Sequence, residues 1–598
     1  MNGYCGKLLR IDLTTGRIST EAIDPEIARK FIGGRGLGTY YLAREIDAGI
    51  DALSAENKLI FATGPLTGSP APASGRYMVI TKSPLTGTVA CSNSGGYWGA
   101  ELKFAGWDMI IVEGKAETPT YVTINDDQVA LHDGSALWGK LVGETTDSLL
   151  AAVGDEKAHV LTIGPAGERG SLLAAIMNDR YRAAGRSGVG AVMGTKNLKA
   201  IVVRGSGKVP PADKEKTDEV LKRIRKTIKE AEITGTVLPT YGTSALVGVI
   251  NASGIYPTRN FQEATFEFAE QASGETLKEK YVTGRDVCYR CPIACGRYSR
   301  VDDVEGGGPE YETIWAYSAD CGVGDLAAVI KANKWCNEYG LDTISAGATI
   351  ACAMELSKEG HIPAEDVDGP ALEFGSGEAI VEWTRKMGAA EGLGAKLAMG
   401  SYRLAEMYGA PELSMSVKRQ ELPAYDPRGV QGHGLQYATS NRGGCHLRGY
   451  LISPEVLGVP EKLDPYTLEG KAMWAKMFQD VASVIDSLGL CIFTSFALGP
   501  DDYRDMFNAI VGEDWSTEEM LTAGERVWNL ERKFNLDAGI KPEEDKLPGR
   551  LVNEPIPEGP SKGQVHHLDA LLPQYYQERG WTEDGRPTPE KLAELALT

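Results

Sequence analysis

Three cysteines, Cys288, Cys291 and Cys295, follow one another in the order C-x2-C-x3-C. On a tight loop that spacing lets three thiolates converge on one metal centre, and Pro292 directly after the second cysteine favours a turn over a continuing helix. Three ligands leave one corner open, and the best fourth is Cys491, which closes Asp486-Ser-Leu-Gly-Leu-Cys491. A structural zinc site usually shows two C-x2-C pairs or a Cys/His mixture, and the radical-SAM triad runs in the reverse order. Neither fits as well as a cluster held by these four cysteines. The plain alternative is a few buried, inert thiols.

Asn337-Glu-Tyr-Gly-Leu-Asp342 shares with Asp486-Ser-Leu-Gly-Leu-Cys491 the pattern Asn/Asp, two residues, Gly-Leu, Asp/Cys. Two copies imply two equivalent halves of a ligand. A helix ending in such a loop presents acceptor side chains and bent backbone, which suits the donor-rich edge of a heterocycle such as a pterin. Ordinary helix ends would look the same, but Cys491 in the second copy would set a cluster against that ligand.

Glycine-rich turns supply further backbone donors. Gly64-Pro-Leu-Thr-Gly68 and Ser83-Pro-Leu-Thr-Gly87 repeat one phrase and read as two similar turns facing one ligand. Asn93-Ser-Gly-Gly96 and Arg182-Ala-Ala-Gly-Arg-Ser-Gly-Val-Gly190 suit an anion, because bare N–H groups can approach it closely. The dinucleotide fingerprint fails after Gly190, where Ala191, Val192 and Met193 follow, and no Gly-Lys-Ser/Thr completes a P-loop.

The elements that must position these residues divide in character. Short β-branched or alternating runs at 7–13, 59–63, 77–81, 109–113, 120–124, 160–163 and 200–204 predict strands, and helical periodicity follows at 214–232, 326–338, 343–358, 379–387, 395–407, 503–510 and 517–534. The expected fold class is α+β in three domains. Residues 1–210 form a mostly β pterin-binding domain. Residues 211–417 form an α-helical domain with three cluster cysteines and the first half-site, and 418–598 a second one with the other half-site and Cys491.

With 42% hydrophobic and 24% charged residues the composition is that of a soluble globular protein. No run of about 18 apolar residues suggests a membrane span, and the opening residues lack a signal-peptide pattern. A cytoplasmic location is expected. Reduced thiols there make disulfides improbable for the ten cysteines. A net charge of −20 without a basic stripe argues against nucleic acid.

The motifs together resemble the aldehyde:ferredoxin oxidoreductase family of tungstopterin enzymes over nearly the whole chain. The resemblance rests on Gly64-Pro-Leu-Thr-Gly68, Gly75-Arg-Tyr77, Asn93-Ser-Gly-Gly-Tyr97, Asn178-Asp179 with Arg182-Ala-Ala-Gly-Arg186, the cysteine loop, Gly308-Pro-Glu-Tyr-Glu312, both half-sites and Asn441-Arg-Gly-Gly-Cys-His446. It implies tungsten held by the dithiolene sulfurs of two pterins, with no protein ligand, beside a 4Fe-4S cluster. Asp342 and Asp486, with Asn337 and Leu490 in their loops, would bind the pterins. Arg76 would lie between cluster and pterin. A magnesium ion on the pterin phosphates would touch the backbone carbonyls of Asn93 and Ala183, near Gly95 and Arg182. Asn337 departs from the aspartate usual at that position.

The same resemblance implies a reaction. Glu312 would take a proton from attacking water or from the oxidised substrate, His446 would donate a hydrogen bond to the carbonyl oxygen, and Tyr311 would assist. The expected activity is aldehyde oxidation to a carboxylic acid, with a ferredoxin-like acceptor. The alternatives are reverse acid reduction, reduction of an aromatic CoA thioester, or an electron-relay subunit without turnover, against which Glu312 and His446 speak. Some family members dimerise around an iron held by a Glu-x-x-His motif, where this chain has Lys331 and Lys334. Ammonium groups do not ligate cations, so a heteromer without bridging iron is expected, the two lysines facing an acidic partner.

Overall fold

The structure, a computed structural model, describes residues 2–598. The first part of the chain builds two six-stranded sheets. Edge to edge, the first runs Arg17–Ala22, Lys7–Asp12, Met109–Glu113, Leu59–Thr63, Tyr77–Lys82, Val89–Ser94, and is antiparallel except between Lys7–Asp12 and Met109–Glu113. The second runs Arg182–Ala184, Ile176–Asn178, His159–Thr162, Leu198–Arg204, Thr120–Asn125, Gln128–Asp133.

Side chains alternate across a strand, so each strand of the first sheet sends residues both ways. Leu9, Ile11, Phe61, Tyr77 and Val79 share a buried cluster with Val122, Leu161, Ile201 and Val203 of the second sheet. Their neighbours Leu8, Ile60, Ala62, Met78 and Ile80 pack on Leu37 and Leu42 of the helix Gly34–Glu45, and on Val527 and Phe534 of the distant helix Thr517–Asp537. Burial on both faces is why the central strands read as continuous apolar runs.

The seven predicted strands are present, and helices dominate after Lys214, which is the expected α+β class. Predicted strands stop short of Arg17–Ala22 and Gln128–Asp133, polar edge strands, and of the three-residue pair Ile176–Asn178 and Arg182–Ala184, too short to show a period. The helix predicted at 395–407 is two, Leu393–Leu397 and Ser401–Met407, because Gly400 between them has φ 88° and a left-handed residue cannot continue a right-handed helix. The long helix Lys471–Leu488 escapes prediction because Gln479, Asp480, Ser483, Asp486 and Ser487 lie on its buried side and blur the apolar stripe.

Two further departures bear on the site. The cysteine loop belongs to a small sheet, Val282–Asp286, Gly296–Val301 and Val304–Gly307, inside the otherwise helical middle of the chain. The stretch 233–252 is long enough and, on average, apolar enough to cross a membrane by length and composition alone. It is not one regular helix, however. A π-helical turn at Ile233–Val237 leads through Leu238–Tyr241 and the tight turn Gly242–Ala245 into Leu246–Ala252, with Leu238, Val247 and Ile250 in the core. One apolar cluster also runs through Leu413, Val417, Leu422 and Tyr425, so packing is continuous across position 417.

Candidate functional site

The cysteine loop is the connection between the antiparallel strands Val282–Asp286 and Gly296–Val301. Pro292 and the left-handed residues Arg290 and Ala294 (φ 47° and 48°) keep it from becoming helical. Ala73, itself left-handed at φ 57°, ties the loop to the remote fourth cysteine. Its N–H donates to the Arg290 carbonyl (2.9 Å), and its own carbonyl accepts from the Cys491 N–H (3.2 Å). Cys288, Cys291, Cys295 and Cys491 consequently line one cavity with Arg76 and Arg182.

Among the described residues no three His, Cys, Asp or Glu side chains converge closely enough to hold a single ion. Thiols spaced around a cavity fit the corners of a cluster, whereas four ligands of zinc would each sit about 2.3 Å from one point. Gly95 is required beside them, since a Cβ there would lie 2.8 Å from the Cys288 sulfur. Arg76 leads away from the cavity, donating to the Cys491 sulfur (3.0 Å) and to Asn93 Oδ1 (3.0 Å). Asn93 in turn donates to Asp486 Oδ1 (3.2 Å).

The two half-sites have one local geometry. The helix Leu326–Tyr339 ends on left-handed Gly340 (φ 73°), and Lys471–Leu488 ends on Gly489 (φ 82°). A glycine following a strand seats each end. A Cβ on Gly164 would lie 2.2 Å from the Tyr339 carbonyl oxygen, and one on Gly64 would lie 2.1 Å from the Leu488 carbonyl carbon. The structural mate of the Gly64-Pro65 turn is thus Gly164-Pro165. Ser83 instead uses its hydroxyl within the protein, donating to the Ser187 carbonyl (2.8 Å).

Each half-site aspartate faces an arginine. Asp342 Oδ2 accepts from Arg186 Nε (3.0 Å) and its Oδ1 accepts from the Ile344 N–H (3.1 Å). Asp486 Oδ2 accepts from Arg448 and lies 3.5 Å from Arg35 Nη1. Asn337 donates to the Gly307 carbonyl (3.1 Å). Leu490 is buried, and its N–H closes onto the Ile485 carbonyl (3.2 Å).

A cavity of about 300 Å³ opens beside the cysteines, lined by Arg76, Gly95, Arg182, Ala183, Tyr311, Glu312, Asn337 and His446 among others. Asn93, Asp342, Asp486 and Leu490 do not line it. The segments proposed to share magnesium adjoin: Asn178 donates to the Gly95 carbonyl (2.6 Å), and Arg186 N–H donates to Ser92 Oγ (3.2 Å).

Glu312 lies in the first turn of the short helix Tyr311–Tyr317. Its Oε2 accepts from the Ala424 N–H (3.0 Å), while Oε1 has no hydrogen-bond partner and lies 3.6 Å from His446 Nε2. Burial pushes this carboxyl up to about 8, against the pull of the Ala424 N–H and Arg186. Burial, followed by the nearby charges of Arg186 and other cations, holds His446 well below the usual histidine range, and its Nδ1 is also unpartnered. Near neutral pH the two form a neutral carboxyl–imidazole pair. Tyr311 is committed elsewhere, donating to the Ala424 carbonyl (2.9 Å), so it fixes the loop that holds Glu312. His433 is fully buried among Tyr425, Tyr437 and Tyr450, outside the cavity lining.

The sequence reading gave no role to three arginines packed between the half-sites. Arg186 spans Asp342, the Gly444 carbonyl (2.6 Å) and the Glu421 carbonyl (2.7 Å). Arg442 donates to the Cys91 carbonyl (2.6 Å) and twice to the Cys445 sulfur (3.2 and 2.9 Å), and Arg448 joins Cys91 to Asp486. Their signal lay in Arg182-Ala-Ala-Gly-Arg186 and in the two arginines flanking Cys445-His446. Lys331 and Lys334 are paired internally, with Asp302 (2.8 Å) and Glu338 (2.6 Å).

Residues 8–205 match the family model described as "Aldehyde ferredoxin oxidoreductase, N-terminal domain", and residues 219–597 the one described as "Aldehyde ferredoxin oxidoreductase, domains 2 & 3". Two proteins named tungsten-containing aldehyde ferredoxin oxidoreductase, from Pyrococcus abyssi and Pyrococcus horikoshii, are each 55% identical over 100% of this chain and 99% of their own. A solved structure, the active site complex BamBC of benzoyl coenzyme A reductase with 1,5-dienoyl-CoA, superposes with a TM-score of 0.87. It is 27% identical, covering 100% of this chain and 97% of that one.

Proposed function

From the premise that this chain belongs to the aldehyde ferredoxin oxidoreductase family, we propose that it oxidises aldehydes to carboxylic acids at the cavity that holds Glu312 and His446 beside the cluster cysteines and delivers the electrons to a ferredoxin. The observation that carries the reading is the unpartnered Glu312–His446 pair, in a cavity that shares Arg76 and Cys295 with the four-cysteine cavity.

The residues fit the tungstopterin and iron–sulfur cofactors of the family. Orphaned polar atoms in a buried wall call for a bound partner, and glycines at 64, 95 and 164 leave room for backbone alone. Cys288, Cys291, Cys295 and Cys491 would hold the 4Fe-4S cluster, the half-sites around Asp342 and Asp486 the pterins, and the Asn93 and Ala183 carbonyls a magnesium ion. When bound, these cofactors take two electrons from the substrate and pass them on singly.

The protein handles the proton and the geometry. Oxidising an aldehyde with water yields the acid, two electrons and two protons. Glu312 Oε1, as carboxylate, accepts a proton from the attacking water or the substrate carbon. His446, held neutral, donates a hydrogen bond to the carbonyl oxygen as negative charge builds there. The N–H of Ala424 and the hydroxyl of Tyr311 keep the carboxyl in place. Metal analysis with an aldehyde panel and a viologen acceptor tests the whole reading. A purified protein with full tungsten and iron that oxidises no aldehyde in the panel would refute it.

Electrons leave through the cluster, since the glycine-rich loops carry no nicotinamide or flavin fingerprint. Direct NAD reduction by the isolated chain is expected to be absent. Aldehyde-dependent NADH formation by the purified chain, followed by absorbance, would overturn this.

The assembly we propose is heteromeric and cytoplasmic, without bridging iron. Lys331 and Lys334 are held by carboxylates of their own chain, so they offer a cation no ligand. Native mass spectrometry is expected to find no iron beyond the cluster's own. A homodimer whose extra iron and dimeric mass vanish together on chelation would contradict it.

A further inference from the structure

We infer that the basic stripe of the helix Lys214–Glu230, together with Arg290 and the Tyr97–Tyr289 pair beside the cysteine loop, is the landing surface for a small acidic iron–sulfur protein. The inference rests on the proposed exit of electrons through the cluster.

The helix buries Thr217, Leu221, Ile224 and Ile228, and that stripe fixes its outward side. Lys222, Arg225, Lys226 and Lys229 are exposed on it. Arg223 is paired with Asp502 and Asp505, and Lys226 lies near Glu230. Among the described residues Lys222, Arg225 and Lys229 take part in no ion pair. Their three- and four-residue spacing puts them along one line of the helix surface. Three unneutralised cations in a row stand out on a chain with net charge −20.

The stripe is anchored next to the cluster cysteines. Arg225 Nη2 donates to the Pro70 carbonyl (2.9 Å), and the same turn accepts, at the Gly68 carbonyl, the hydroxyl of Tyr289 (3.2 Å). Arg290 Nε donates to that hydroxyl (3.1 Å) and is itself exposed without a carboxylate partner. The ring of Tyr97, 42% exposed, meets Tyr289 edge-on at 6.1 Å and stacks on His159 at 5.5 Å. Cys288, Cys291 and Cys295 are partly exposed while Cys491 is buried, so the loop side of the cluster site faces outward. Beside the cysteine loop, Asp179 is paired with His159 and Asp286 with Arg182.

An acidic chain repels acidic partners at long range, so productive approach needs a local field of opposite sign. This face supplies it, with an exposed aromatic ring of the kind that anchors interfaces. Lys331 and Lys334, predicted from sequence to serve an acidic partner, are neutralised within the chain. In the transfer itself no bond changes: the cluster loses one electron and the partner's iron–sulfur centre gains it.

The test uses the holoenzyme with purified acidic ferredoxin or with benzyl viologen as acceptor. Lys222→Glu combined with Lys229→Glu is expected to raise the ferredoxin KM roughly tenfold at low salt, to flatten its dependence on ionic strength, and to leave the viologen-linked rate unchanged. Adding Arg225→Glu should deepen the effect. Lys331→Glu with Lys334→Glu should leave the ferredoxin KM at its wild-type value. An unchanged ferredoxin KM in the first variant, or a raised one in the last, would overturn the docking surface and leave the proposed function standing. Wild-type enzyme that reduces neither acceptor would instead refute the function.

Discussion

Glu312→Gln lowers aldehyde turnover about 100-fold or more, the usual scale for losing a general base, while tungsten, pterin and iron stay at wild-type content. The glutamine oxygen can still accept the Ala424 N–H that now binds Oε2 at 3.0 Å, so the fold and the cavity survive. What disappears is the ability of the atom facing His446 to take a proton. Near-normal turnover with full cofactor content would remove Glu312 from the mechanism.

The pH dependence sharpens this result. Burial places the Glu312 carboxyl at about 8, so below that pH most molecules carry it protonated. Proton acceptance needs the carboxylate, and aldehyde oxidation should therefore climb as pH rises through about 8. Acid reduction, for which the carboxyl donates, should fall over the same range. Both slopes should flatten in Glu312→Gln. Stability has a definite sign as well. The folded value lies above the unfolded value of 4.5, so the folded state holds a proton that the unfolded chain has released between about 4.5 and 8. The stabilisation from this group is complete below about 4.5 and is lost as pH rises to about 8. Glu312→Gln should show a shallower fall of Tm across that window.

Cys491→Ser loses the iron–sulfur cluster, with activity falling at least about tenfold, the scale associated even with perturbing a metal ligand's surroundings. A serine oxygen is a poor substitute for a thiolate at iron. The loss should spread, because Arg76 bridges the Cys491 sulfur to Asn93, and Asn93 reaches Asp486 at the second half-site. Iron content and pterin content should fall together. Full iron and full activity in the variant would mean that another residue supplies the fourth corner.

Much of this arrangement was legible because it depended on local chemistry. The cysteine spacing, the Gly-Leu signature of the half-sites and the short apolar or β-branched strand runs each state their structure within a few residues. The arginines were not legible, because Arg186 and Asp342, or Arg448 and Asp486, meet only after folding. The pairing of Gly64 with Gly164 was missed for a similar reason. The literal repeat at Ser83 was the louder sequence signal, whereas a glycine's role is set by what leaves no room for its Cβ. Lys331 and Lys334 misled in the opposite direction, their charge being visible and their partners Asp302 and Glu338 not.

The helix Thr517–Asp537, which packs on the outer face of the first sheet, sets a timetable for biogenesis. A nascent chain that has just emerged past Cys295 holds three of the four cysteines and the Gly64 seat, but it has neither Cys491 nor the helix end that fills that seat. The first sheet, already complete, still lacks the cover of a segment made more than two hundred residues later. The Gly64 seat and the outer face of the first sheet are therefore closed only once the helices Lys471–Leu488 and Thr517–Asp537 have been made.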